Sequence, residues 1–314
     1  MRLGVLDVGS NTVHLVAVDA TAGGRPTPMS DWKTSLRLVE LIDAEGALSE
    51  RGTKKLAKAV AEASELAQQL GCEEVIAFAT SAVRSATNSE AVIEHVVSKS
   101  GVRLEILSGE DEARLTFLAA RRWYGWSAGR ICNLDIGGGS LEISSGTDEH
   151  PDAAFSLDLG AGRLTHTWFD TDPPERKKIN LLRDYIDAEL AEPARALRAY
   201  GQPRVAAATS KTFRTLARLT GAAPSSAGPF VTRRLTAPGL RQLIAFISRM
   251  TAADRAELEG VSQDRSHQIV AGALVAEASM RALELEELDI CPWALREGVI
   301  LRRIDKGIEV ERDS

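Results

Sequence analysis

Two aspartates each open a short turn between apolar runs. Asp7 precedes Val8-Gly9-Ser10-Asn11, and Asp135 precedes Ile136-Gly137-Gly138-Gly139-Ser140. Turns of this composition leave backbone N–H groups close to a ligand, which suits phosphate oxygens. The aspartate at the head of each is a hard oxygen donor for a divalent cation, directly or through water. A plainer reading is a pair of hairpins whose glycines only meet turn geometry. Repetition favours the ligand reading. Ala79-Thr80-Ser81-Ala82-Val83-Arg84 follows Asp7 by 72 residues, and Ala208-Thr209-Ser210-Lys211-Thr212-Phe213-Arg214 follows Asp135 by 73. Two matches in one order at nearly one spacing indicate an internal duplication. It predicts two lobes with a cleft between equivalent turns.

A third candidate is Glu112, within Ser108-Gly109-Glu110-Asp111-Glu112-Ala113-Arg114. Acids in a first helical turn complement the positive end of the helix dipole. That accounts for Glu110 and Asp111, and it also keeps Glu112 ionised and able to accept a proton from water; on spacing alone both readings stand. Arg84, Arg163 and Arg214 follow turns, with Lys211 nearby, and arginines so placed suit bidentate phosphate contacts. The run Arg121-Arg122-Trp123-Tyr124-Gly125-Trp126 sits at a helix end and is expected to pack against the other lobe. Five histidines form no i, i+4 pair, so no metal motif arises. The chain has no GxxxxGK[ST] phosphate loop and no GxSxG elbow. Gly160-Ala161-Gly162-Arg163-Leu164-Thr165 begins like a dinucleotide fingerprint but has Thr165 in place of its third glycine.

The elements that position these residues alternate between strand and helix. Strand-like runs cover residues 3–6, 13–18, 75–79, 103–107, 131–136, 141–144 and 287–291. Between Ser49 and Gly71 the residues Leu56, Val60, Ala63, Ala67 and Leu70 recur at helical spacing, and Gly71 falls in the C′ position. Further helices are expected over 89–100, from Ser108 (with Asp111 completing a capping box), and over 175–191, 238–249, 252–258 and 263–285, with a last one from Ala294. Such alternation indicates α/β architecture.

Composition narrows the function. The chain has 314 residues, 38 Lys plus Arg against 44 Asp plus Glu, and a net charge of −6. That argues against broad nucleic-acid binding but permits a local anion site. No apolar run approaches the roughly 18–20 residues of a membrane span, and no basic and apolar leader precedes the first strand. Cys72, Cys132 and Cys291 lie far apart, which excludes a disulfide framework and a zinc motif and fits a reducing, cytoplasmic setting.

Taken together, these blocks resemble the exopolyphosphatase and guanosine pentaphosphate phosphatase family of the sugar kinase, actin and heat-shock-70 superfamily, in particular its short actinobacterial exopolyphosphatases. The likeness runs from Asp7 to Gly298 and includes Pro292-Trp293-Ala294-Leu295-Arg296-Glu297-Gly298. The resemblance implies two similar actin-like (ribonuclease H-like) α/β lobes with a phosphate-binding cleft. Residues 1–125 would form the first lobe and 126–293 the second, with a final helix over about 294–310 returning to the first. It implies hydrolysis of the terminal phosphoanhydride of inorganic polyphosphate with Mg²⁺ or Mn²⁺. Glu112 would be the general base, Asp135 the metal-linked carboxylate and Asp7 its counterpart. Gly9, Ser10, Asn11, Arg84, Gly137, Gly138, Gly139 and Ser140 would bind phosphate, as would Thr209, Ser210 and Lys211, whose bulk disfavours adenosine. It further implies a homodimer without nucleic-acid or membrane partners. Longer relatives carry an extra helical domain with a basic channel, so short chains are the expected substrates. Guanosine pentaphosphate hydrolysis, a superfamily ATPase, and a sensor of guanosine tetraphosphate are the alternatives.

Overall fold

The computed structural model describes residues 1–21 and 23–312, with side chains to residue 306. The chain divides into two compact units, Met1–Leu115 with Leu295–Ser314, and Thr116–Ala294.

Unit 1 begins with the antiparallel meander β1 (Arg2–Val8), β2 (Thr12–Asp19) and β3 (Ser30–Ser35). After α1 (Glu50–Gln69) the chain adds β4 (Glu74–Ala79) parallel to β1. The short α2 (Ser81–Arg84) and α3 (Ser89–Ser100) lead to β5 (Glu105–Ile106), and α4 (Gly109–Tyr124) runs on across the unit boundary. The sheet order is β3-β2-β1-β4-β5. Ser49 caps α1 through Gly52 N–H, and the helix stops at Gly71, which takes φ +72°. The spaced residues Leu56, Val60, Ala63 and Ala67 bury against Leu6, Val8, Val13 and Leu15. Each large side chain buried in this way contributes about 1.5–3 kcal/mol.

In unit 2, β6 (Ile131–Ile136), β7 (Leu141–Gly146) and β8 (Ala153–Leu157) repeat the meander. There follow α5 (Ala161–Trp168), α6 (Arg176–Arg198), β9 (Val205–Ala208), α7 (Ser210–Leu219), β10 (Arg234–Thr236), α8 (Ala237–Ile247), α9 (Ala252–Ala256), α10 (Gln263–Ser266), α11 (Ile269–Ala282) and β11 (Glu287–Ile290). The sheet order is β10-β11-β9-β6-β7-β8. Read from its far edge, β8-β7-β6-β9-β11 matches unit 1, with β10 added. This is the duplication that the two spaced motifs indicate. The chain closes with α12 (Leu295–Arg312), which belongs to unit 1, where Val299 and Ile300 pack on Leu3, Val5, Val16 and Val18.

Some elements differ from the sequence expectation. α6 continues past 191 through Pro193 to Arg198, because Leu190, Ala194 and Leu197 extend its buried stripe. Burying them outweighs a proline penalty of about 3 kcal/mol. The helix expected over 263–285 breaks at residues 267–268, where Gln268 N–H donates to Arg265 C=O at 3.1 Å in a tighter turn. The run at residues 121–126 meets segments of the 126–293 half, as expected, but the unit boundary falls at Leu115–Thr116, so the run itself belongs to unit 2. Trp123 stacks on Phe230 and meets Trp293 edge-on. Arg121 is buried and donates to the carbonyls of Gly125, Gly129, Gly146 and Asp148.

Candidate functional site

In unit 1 the turn between β1 and β2 is closed by Gly9 N–H donating to Thr12 C=O at 2.9 Å. Strand alternation puts Asp7 on the sheet face of Leu3 and Val5, the face packed by Leu115 of α4 and by α12. The turn's carbonyls are held from one side. Ser10 C=O accepts from Leu38 N–H at 2.8 Å, and Asn11 C=O accepts from Leu36 and Arg37 N–H at 2.8 and 3.1 Å. Arg37 takes the left-handed region at φ 55° in that segment. A trans peptide points its C=O and the next N–H in opposite directions, so the Asn11 and Thr12 amides face away from it. Ser10 and Asn11 are buried, and the Ser10 and Ser81 hydroxyls share a hydrogen bond of 2.8 Å.

Glu112 is placed by the cap of α4. Asp111 N–H donates to Ser108 Oγ at 3.0 Å, the Ser108 hydroxyl donates to Asp111 Oδ2 at 2.7 Å, and Glu112 N–H donates to Ser108 C=O at 3.0 Å. Glu110 pairs with Arg114 on the surface, whereas Glu112 is only 6% exposed. A buried carboxylate needs a partner, and the structure supplies Arg84. Its Nη1 donates to Glu112 Oε1 and, at 2.8 Å, to Leu107 C=O. Two of the expected site residues, far apart in sequence, therefore form one ion pair.

The β6–β7 turn of unit 2 repeats the first. Gly137 N–H donates to Ser140 C=O at 2.9 Å. Three successive carbonyls turn toward the start of α5: Gly137 C=O accepts from Ala161 N–H at 3.0 Å, Gly138 C=O from Arg163 N–H at 2.8 Å, and Gly139 C=O from Arg163 Nε at 2.9 Å. The amides of Gly138, Gly139 and Ser140 consequently point away from α5, an arrangement that receives an anion. Gly160 explains how α5 comes so close. A Cβ there would lie 2.2 Å from Gly139 C and 2.3 Å from Ser140 N.

Asp135 accepts a hydrogen bond from the Thr209 hydroxyl. Thr209 is fully buried, so its part is to hold that carboxylate. The two units differ here by two residues of register. Ala79 pairs with Val8, beyond Asp7, whereas Ala208 pairs with Leu134, just before Asp135. Ser210 starts α7 at φ 70°, a conformation uncommon outside glycine. Lys211 lies beside Ser262, at 3.3 Å, on a concave surface shared with Thr212, Thr215, Arg265 and Gln268. Arg214 donates to Pro292 C=O at 3.3 Å.

Sequence reasoning missed Glu142. It is 5% exposed, stands opposite Asp135 in the β6–β7 register, and accepts from Ser156 Oγ at 2.8 Å. Residues so paired have Cβ atoms about 4.5–5.5 Å apart on one face. The available signal was a glutamate inside an otherwise buried strand. Two carboxylates side by side fit a hard divalent cation. Among the described residues no group of three or more His, Cys, Asp or Glu gathers as a metal cage.

Two α/β units, each with a mixed sheet and an aspartate at a phosphate-type turn, define an actin-like protein. The chain belongs to the Ppx/GppA phosphatase family, whose model matches residues 16–307. It is 67% identical over 305 residues to Exopolyphosphatase 1 of Mycobacterium tuberculosis, covering 97% of this chain and 89% of that one. Against Exopolyphosphatase 1 of Mycobacterium leprae the identity is 63%, with 97% and 90% covered. Among solved structures, an exopolyphosphatase from Cytophaga hutchinsonii shares the fold with a TM-score of 0.88 at 23% identity, covering 98% of each chain. The Ppx/GppA family member of Aquifex aeolicus superposes with a TM-score of 0.80 at 25% identity, again over 98% of both.

Proposed function

We propose that this chain is an exopolyphosphatase, hydrolysing the terminal phosphoanhydride of inorganic polyphosphate and releasing phosphate. The observation that carries the reading is the 137–140 loop, where the Gly137, Gly138 and Gly139 carbonyls are tied to α5 so that the Gly138, Gly139 and Ser140 amides face the other way. It occurs in a chain two-thirds identical to proteins named for this activity.

Terminal phosphate oxygens take the amides of Gly138, Gly139 and Ser140 in unit 2, and in unit 1 the turn at Gly9, Ser10 and Asn11 offers the Asn11 and Thr12 amides to phosphate. Arg84 turns part of its guanidinium to phosphate, which loosens its hold on Glu112. Glu112 then accepts a proton from a water whose oxygen bonds to phosphorus. The bridging P–O bond breaks, and its electron pair leaves with the shortened chain. Such transfer depends mainly on positioning and electrostatics. Asp135, steadied by Thr209 and flanked by Glu142, would hold Mg²⁺ or Mn²⁺ in unit 2, and Asp7 offers a hard carboxylate oxygen in unit 1. When bound, the cation neutralises phosphate charge. Ser210 and Lys211 extend the anion-binding surface.

With a net charge of −6, the chain gains little from long-range attraction to a polyanion, whose grip needs rows of bases. Short chains are therefore preferred, and release follows one or a few cleavages. The test is phosphate release from polyphosphates of defined length, with guanosine pentaphosphate in parallel and sizing of partial digests. Gradual shortening of the whole population supports the reading. Release from the nucleotide alone would refute polyphosphate as substrate, and untouched long chains beside free phosphate would refute distributive action. A homodimer belongs to the same proposal and is checked by sedimentation.

A further inference from the structure

We propose that Arg163 is a positioning residue for the phosphate loop, holding the Gly139–Ser140 peptide so that Ser140 N–H faces the substrate. This rests on the reading of residues 137–140 as a phosphate site. Gly137 and Gly138 carbonyls are held by backbone amides, of Ala161 and Arg163, which no ordinary substitution removes. Gly139 C=O is held instead by the Arg163 side chain, through Nε at 2.9 Å.

Unit 1 shows what this replaces. At the matching place Asn11 C=O is bound by the backbone amides of Leu36 and Arg37. Unit 2 has exchanged main-chain donors for one guanidinium. The exchange needs α5 to sit directly on the loop. Gly160 leaves no room for a Cβ, and at Gly162 a Cβ would fall 3.0 Å from Gly138 O and 2.7 Å from Gln268 Oε1. Arg163 is steadied from its other end by Asp158, with Nη2 3.3 Å from Oδ1. With Nε turned to a carbonyl and Nη2 to a carboxylate, this arginine holds the loop rather than the ligand. Lysine cannot substitute, because its donors sit on one terminal nitrogen and not at the Nε position of a planar fork.

The experiment is a titration of the ¹⁵N-labelled full chain with inorganic phosphate, following amide shifts alongside polyphosphate turnover. In the unsubstituted protein the Gly138, Gly139 and Ser140 amides respond. In Arg163→Ala, Gly138 and Gly139 still respond while Ser140 falls silent. Phosphate affinity and turnover drop roughly 10–100-fold, as for loss of a charged hydrogen bond. Guanidinium ion at about 10 mM, far below the molar range that unfolds proteins, restores the Ser140 response and turnover; Arg163→Lys behaves like Arg163→Ala. A purely structural arginine would lower the melting temperature without silencing one amide, and if the alanine variant fails to fold, the lysine variant decides. An unchanged Ser140 response and phosphate affinity in a folded variant overturn the role of Arg163 and leave the phosphate-site reading intact. Absence of any response from these three amides in the unsubstituted protein overturns both.

Discussion

Replacing Glu112 by glutamine separates the chemistry of this carboxylate from its packing. Glutamine has nearly the same size, and its Oε1 can still accept from Arg84 Nη1, which keeps its other bond to Leu107 C=O at 2.8 Å. What disappears is the charge and the ability to take a proton. Hydrogen bonds to charged groups contribute about 1.5–3 kcal/mol and neutral ones about 0.5–1.5, so the expected loss of stability is about 1 kcal/mol. For a chain of this size that lowers the melting temperature by only about 2–4 °C. Catalysis should suffer far more. A general base supplies about 10²–10⁴-fold, or about 2.7–5.4 kcal/mol of barrier at 1.36 kcal/mol per decade. The assay is phosphate release from a saturating short polyphosphate, with single-turnover rates to confirm that chemistry limits, and a thermal melt of the same sample. Turnover above about a third of the unsubstituted rate, with chemistry limiting, would remove Glu112 as the base. A melt lowered by tens of degrees would instead show that the Arg84–Glu112 pair is chiefly structural.

Asp135→Asn removes one charge from the carboxylate pair with Glu142, and the Mg²⁺ concentration for half-maximal activity should rise at least about tenfold; unchanged metal dependence in a folded variant places the cation elsewhere. Gly298→Ala would set a Cβ 2.0 Å from Leu115 O on α4, so it should cost about 1–3 kcal/mol and displace Glu112 one turn away; melting curves and turnover together check this. Burial pushes the Cys132 thiol up to about 12, so near pH 8 it stays protonated. An aromatic disulfide reagent should label half-buried Cys72 well before Cys132, which reacts on unfolding. As the folded pKa is the higher one, the stability tied to Cys132 is complete below the ordinary thiol pKa of about 8.5 and declines as pH rises toward that folded value.

Much of this protein was legible in local pattern. The helical spacing of Leu56 to Ala67, the cap at Ser108 with Asp111, and the stop at Gly71 each depend on neighbours within a turn or two, and the structure bears them out. The two aspartate turns were visible because small turn residues follow each aspartate, Gly9-Ser10-Asn11 and Gly137-Gly138-Gly139-Ser140, and so was the repeat that carries them. Two of the edge strands were not legible. β3, with the sequence Ser-Asp-Trp-Lys-Thr-Ser, and the three-residue β10 have too little apolar alternation to announce themselves and form by pairing with a neighbour already in place. Nor could sequence place Glu142 beside Asp135, join Arg84 to Glu112, or assign Arg163 to a backbone carbonyl. Those contacts depend on strand register and on how closely α5 rests on the β6–β7 turn, which the packing of distant segments decides. Residue type and spacing determined which groups this chain can bring to a phosphate. Tertiary structure decided which carbonyls are occupied, and therefore which way the adjoining amides face, because a peptide plane commits its two ends in opposite directions.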